Sequence, residues 1–133
     1  MKKLLRVSAL VALVAMCVAG SLLAQIGKTP SQAFLEYRAA FEKAKTVEEI
    51  LPFMDKITRA QIAKTPAAER KQMLAMMQMM GDARGVKVVK ETKNDKGVEL
   101  AVEGTTPDKK KSTGKILMVR EDGTWKRASE NWQ

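Results

Sequence analysis

The apolar residues of this 133-residue chain change their period once. Up to Gly81 they recur at spacings of three and four, as in Phe34, Tyr37 and Phe41. From Val86 onward they alternate, as Val98, Leu100 and Val102 do with Glu99, Ala101 and Glu103. The first spacing gathers side chains on one face of a helix, the second on one face of a strand. A helical half followed by a strand half leaves few architectures. The apolar face of an antiparallel sheet needs a cover, and the helices are the only candidate. The expected fold class is α+β: N-terminal helices packed on an antiparallel meander of about four strands.

Local signals divide the halves further. Thr29-Pro30-Ser31-Gln32 is a helix start, with Thr29 as cap, Pro30 at the first helical position and Gln32 reaching back. The helix it opens runs to about Ala44, with Arg38, Glu42 and Lys43 largely off its aromatic face. Thr46-Val47-Glu48-Glu49 opens a short second helix that Pro52 bends or ends. Ile57, Ala60 and Ile62 mark another short helix to about Lys64. Thr65-Pro66 starts the next, which Gly81 stops. Strands follow over Val86–Val89 and Val98–Glu103, joined by Asn94-Asp95-Lys96-Gly97. A third covers Ile116–Val119, and Asp122-Gly123 turns the chain into a fourth that begins at Thr124-Trp125-Lys126. Thr105 to Gly114, carrying Lys109-Lys110-Lys111, is the longest polar loop expected.

Residues 1–24 read as an export signal: Lys2, Lys3 and Arg6, then an apolar run from Val7 to Ala19, then Gly20 and Ser21. Cleavage is expected between Ala24 and Gln25, with residues 20–24 as the window. This leaves residues 25–133 as one domain in the periplasm or outside the cell. The alternative is an uncleaved anchor: Val7 to Ala24 is 18 residues, near the lower limit of a membrane span of about 20, but Gly20 and Ser21 argue against it, so contact with the membrane is expected only through the leader during export. Cys17 raises the alternative of a lipoprotein, but Met16 before it is larger than that processing accepts, and Cys17 reads as an apolar leader residue.

Composition excludes several functions. There is no His, so no Ser-His-Asp triad or Cys-His pair can form. The one Cys excludes an intrachain disulfide and falls within the leader. The formal charge is +9, yet it is spread out, aromatics are only 5%, and export separates the chain from cytoplasmic nucleic acid, so no nucleic-acid role is expected. The basic run at Lys109–Lys111 reads as a solvated hairpin tip.

The last hairpin reads Met118-Val119-Arg120-Glu121-Asp122-Gly123-Thr124-Trp125-Lys126 and ends in Glu130-Asn131-Trp132. With the Thr-Pro-capped aromatic first helix and the short helices after it, this resembles the nuclear transport factor 2-like superfamily, in particular its small exported bacterial members of unknown function. The resemblance spans about residues 29–132. It implies a cone, in which a strongly curved sheet wraps the first helix and opens into a pocket. Enzymes of that superfamily use Asp-His pairs or a Tyr with acidic partners. His is absent here and Tyr37 is the only Tyr, so no catalytic residue is carried over.

The expected role is therefore non-enzymatic: binding of a small apolar ligand or an envelope protein partner at the cone mouth, with a homodimer also open. The pocket candidates, chosen by phase, are Phe34, Tyr37, Phe41, Met77 and Trp125. No catalytic, cofactor or metal residue is assigned and no cofactor is expected. Two alternatives stand beside this. One is a hydrolase or isomerase pairing Tyr37 with a buried carboxylate, although each acidic residue has an ordinary cap, turn or surface explanation. The other is Cu(I) binding by thioethers. Five of the nine methionines fall at Met73, Met76, Met77, Met79 and Met80. Without His or Cys beside them they read better as adaptable lining of a core or groove. Five residues over eight positions cannot all face inward on a helical period, so part of the cluster should be exposed.

Overall fold

A computed structural model describes residues 27–133; the leader, with Cys17 and the Ala24–Gln25 junction, lies outside them. The described elements are α1 (Pro30–Lys43), single 3-10 turns at Val47–Glu49 and Leu51–Phe53, α2 (Lys56–Ala63), α3 (Ala67–Met80), β1 (Arg84–Lys93), β2 (Val98–Thr105), β3 (Lys111–Glu121) and β4 (Thr124–Trp132). The strands form an antiparallel meander in the order β1-β2-β3-β4. The α+β class is thus present as expected. Among the described residues no helix is long and apolar enough to cross a membrane.

The starts of α1 and α2 are anchored by side-chain chemistry, while α3 begins behind Pro66 with no side-chain cap. At α1 the Gln32 N–H donates to Thr29 Oγ1 (3.1 Å) and the Thr29 N–H donates to Gln32 Oε1 (3.0 Å). At α2 the Thr58 N–H donates to Asp55 Oδ1 (3.1 Å). Between them Glu49 Oε2 accepts from the N–H groups of Thr46 and Lys45 (2.9 and 2.6 Å), which hold its carboxyl below the usual range. The expected second helix is instead two separate 3-10 turns. Pro52 has no N–H to continue an α-helical ladder, so the chain tightens and breaks around it.

The helical stripe of α1 lies against the inner face of the sheet, touching β1, β2 and β4. Phe34, Tyr37 and Phe41 are buried there with Ile50, Met54, Leu100, Val102, Ile116 and Met118. Each such side chain contributes roughly 1.5–3 kcal/mol by leaving water. The inward residues of β2 and β3 face one another in register: Val98 with Met118, Leu100 with Ile116, Val102 with Gly114, Gly104 with Ser112. Side-chain size therefore falls along the sheet from the Val98–Met118 end to the Gly104–Ser112 end.

That taper explains one correction. The expected loop from Thr105 to Gly114 shrinks to Thr106–Lys110, and Lys111, Ser112 and Gly114 belong to β3. Small and polar residues there do not look like a strand. However, a Cβ on Gly114 would stand 2.9 Å from Cδ2 of Trp132, whose indole occupies the space that a side chain on β3 would fill. β1 likewise begins at Arg84 and runs to Lys93, longer than Val86–Val89.

Gly114→Val is expected to lower stability by about 1–3 kcal/mol through overpacking against the Trp132 ring. Chemical denaturation of the purified domain, followed by far-UV circular dichroism, checks this; an unchanged midpoint would remove the indole from that position.

Candidate functional site

Strict alternation puts residues 127 and 130 on opposite faces of a strand. The pairing of β3 with β4 slips by one residue: Leu117 faces Ser129, but Met118 faces Arg127, leaving Ala128 as a bulge. Met118 and Ile116 point inward, and their partners Arg127 and Glu130 follow them. One extra residue thus delivers a cation and an anion to the same, helix-facing side of the sheet.

A third charged side chain meets them from α1. The sequence reading places Arg38 largely off the buried stripe; in the fold it is 3% exposed. It is solvated by protein rather than by water. Its Nη2 donates to the carbonyls of Gly81 (3.0 Å) and Ala83 (2.7 Å) at the α3–β1 junction. The guanidinium also lies over the rings of Phe41 (5.1 Å) and Trp132 (5.7 Å). These partners replace the lost hydration, which is why a charge on this face is tolerated.

Glu130 sits at the centre. Its Oε1 accepts from Trp132 Nε1 (2.7 Å) and from Arg38 Nη1 (3.5 Å). Its Oε2 lies 3.8 Å from Arg127 Nε, an ion pair too long for a hydrogen bond. The Arg127 guanidinium lies over the Tyr37 ring at 5.1 Å. Tyr37 is 1% exposed. Burial pushes its phenol well above the ordinary value of 10.0, and the nearby Glu130 charge adds to this, against smaller opposing effects of Arg127 and Arg38.

Beside this cluster a cavity of about 220 Å³ opens between α1, α3 and β4. Tyr37, Phe41, Met77, Met80 and Trp132 form its apolar lining, and Arg127 and Glu130 its polar part. It holds roughly seven waters at ~30 Å³ each, and is smaller than the range of roughly 300–1,000 Å³ typical of drug-sized ligands.

Three of the five pocket candidates, Tyr37, Phe41 and Met77, meet in this cavity. Phe34 does not: it is sealed in the core. Trp125 does not either. It borders a separate groove with Ala33, Pro52, Phe53 and Lys126, and Arg120 lies over its ring at 5.8 Å. Trp132 takes the place intended for it, because the β4 bulge carries the strand's last residues inward. Sequence reading missed Arg38, Arg127 and Glu130 as well. The only signal for Arg127 and Glu130 was the extra residue, which period-two reasoning cannot see.

The methionines divide by helical phase. Met73 and Met77 pack on the core beside Leu74, while Met76, Met79 and Met80 are exposed. Among the described residues no group of three or more His, Cys, Asp or Glu stands close enough to hold a metal.

Tyr37 predicts a pH dependence. Its folded pKa lies above its unfolded value, so its contribution to stability is complete below pH 10 and is lost as pH rises beyond it. Native protein is expected to lose up to about 1.4 kcal/mol per pH unit there from this group alone, and Tyr37→Phe to lack that component. Denaturant titrations of both proteins at several alkaline pH values measure the difference. Compared with protein-family models, with curated proteins and with solved structures, the chain matches none.

Proposed function

We propose that this is an exported, non-catalytic binding protein of the envelope, with a nuclear transport factor 2-like cone whose cavity takes a small apolar molecule. The observation that carries the reading is the open cavity lined by Tyr37, Phe41, Met77, Met80 and Trp132. Sites for small molecules are concave, mostly apolar and equipped with a few fixed polar groups, and this one has that composition. The cone itself rests on the register slips between β1 and β2 and between β3 and β4, since bulges bend strands. Export rests on the leader pattern of residues 1–24.

A second reading, a hydrolase or isomerase, draws support from Glu130 standing beside Tyr37 in one cavity. Two features weigh against it. Glu130 is already engaged by Trp132, Arg38 and Arg127. The Tyr37 proton is held more tightly than usual, whereas an efficient general acid or base has a pKa near the working pH. Hydrolysis of p-nitrophenyl hexanoate no faster than buffer is the expected result; turnover abolished by Glu130→Gln would turn the assignment toward catalysis.

The binding reading is tested with hexan-1-ol as a neutral apolar probe. Titration into protein labelled at the methionine methyls is expected to shift Met77 and Met80 and the Trp132 indole N–H, with a Kd below about 1 mM. Shifts confined to Met76 and Met79 would place the apolar contact on the outside of α3 instead.

A further inference from the structure

The charges around the cavity do not balance. Arg38 and Arg127 share one carboxylate, Glu130, whose side chain is 13% exposed. Arg38 spends its donors on two backbone carbonyls, Glu130 and Glu42, the last at 3.4 Å and shared with the exposed Arg84. Arg127 has fewer partners. It is 8% exposed, and its Nε, like that of Arg38, is buried with no hydrogen-bond partner. Its nearest anionic atom is 3.8 Å away, and among the described residues no acceptor receives a hydrogen bond from its guanidinium. A buried N–H donor without an acceptor is unfavourable, and the long ion pair to Glu130 leaves the Arg127 guanidinium without a hydrogen-bonded anion. The Tyr37 ring face compensates only in part.

We propose that the ligand of this cavity is a small carboxylate with an apolar body, its head group paired with Arg127 and its body against Phe41, Met77, Met80 and Trp132. This rests on the cavity reading and narrows it to a chemical class. A monocarboxylate supplies the acceptors that Arg127 lacks and brings the cluster of Arg38, Arg127 and Glu130 to neutrality. Glu130 opposes a second anion. However, its oxygens are turned to Trp132, Arg38 and Arg127 Nε. A cationic head would meet Arg127 directly and is rejected. The volume of about 220 Å³ suits a short aliphatic or single-ring acid.

Three probes of one length test this by isothermal titration calorimetry at pH 7: hexanoate, hexan-1-ol and hexylammonium. Hexanoate is expected to bind about 10- to 100-fold more tightly than hexan-1-ol, the range of a charge-assisted hydrogen bond, and hexylammonium more weakly than either. In Arg127→Met the hexanoate-to-hexanol ratio should fall to about one. The wild-type series needs no variant, so the inference stays testable should Arg127→Met fail to fold. Hexan-1-ol binding with no gain for hexanoate overturns the carboxylate and leaves the cavity. Failure of both probes to bind overturns the cavity reading and this inference together. A preference for hexanoate that survives in Arg127→Met places the anion elsewhere.

Discussion

The contact on which the arrangement depends is the one between Arg38 of α1 and Glu130 of β4. It ties the central helix to the last strand across the inner face of the sheet. Around it Arg38 also gathers the carbonyls of Gly81 and Ala83, where the helical half passes into the strand half. A buried ion pair adds little net stability, because desolvating the two groups offsets most of their attraction. Its effect here is on geometry. A helix held only by Phe34, Tyr37 and Phe41 could slide or rotate on an apolar floor. A guanidinium with four fixed acceptors allows one depth and one rotation, so the cavity beside it keeps a defined shape.

The packing that surrounds this pair is graded. At one end of the sheet Val98 and Met118 meet beneath the aromatic stripe; at the other, Gly104, Ser112 and Gly114 leave room. Trp132 fills part of that room and turns its N–H to Glu130. The cavity is what remains between the indole, Phe41 and the methionines of α3. Its existence follows from pairing small residues on β3 with a large flat one on β4. Its polarity follows from which charged groups were carried inward with that ring.

Most of the architecture was legible because it depends on period and on turn chemistry. The change of spacing after Gly81, the Thr29 start and the Asp122-Gly123 turn each correspond to a local structure that their residues favour. Asp122 and Gly123 both adopt positive φ, as such a hairpin requires. Strand lengths were harder to see, since Ser112 and Gly114 carry no strand signal and owe their place to Trp132. The site was half legible. Tyr37, Phe41 and Met77 lie on helices, where phase is dependable over several turns. Arg127 on one side and Glu130 and Trp132 on the other flank Ala128, and one unpaired residue inverts every later assignment on a period of two. Arg38 looked like a surface residue because its compensating partners, Gly81 and Ala83, are more than forty positions away in the chain.

The two outer strands of the meander are not equally open to a neighbour. Alongside β4, the Asp55 N–H donates to the Arg127 carbonyl (3.0 Å), and Met54 pairs with the same residue, so the chain covers its own margin at the bulge. Among the described residues β1 has no such companion, yet it carries Lys87, Lys90 and Lys93 and breaks register twice against β2. Lysines and irregularities of this kind discourage one sheet from extending into another. Two copies of this molecule would therefore associate poorly strand to strand. The exposed thioethers of Met76 and Met79 are the softer surface on which self-association would have to rely.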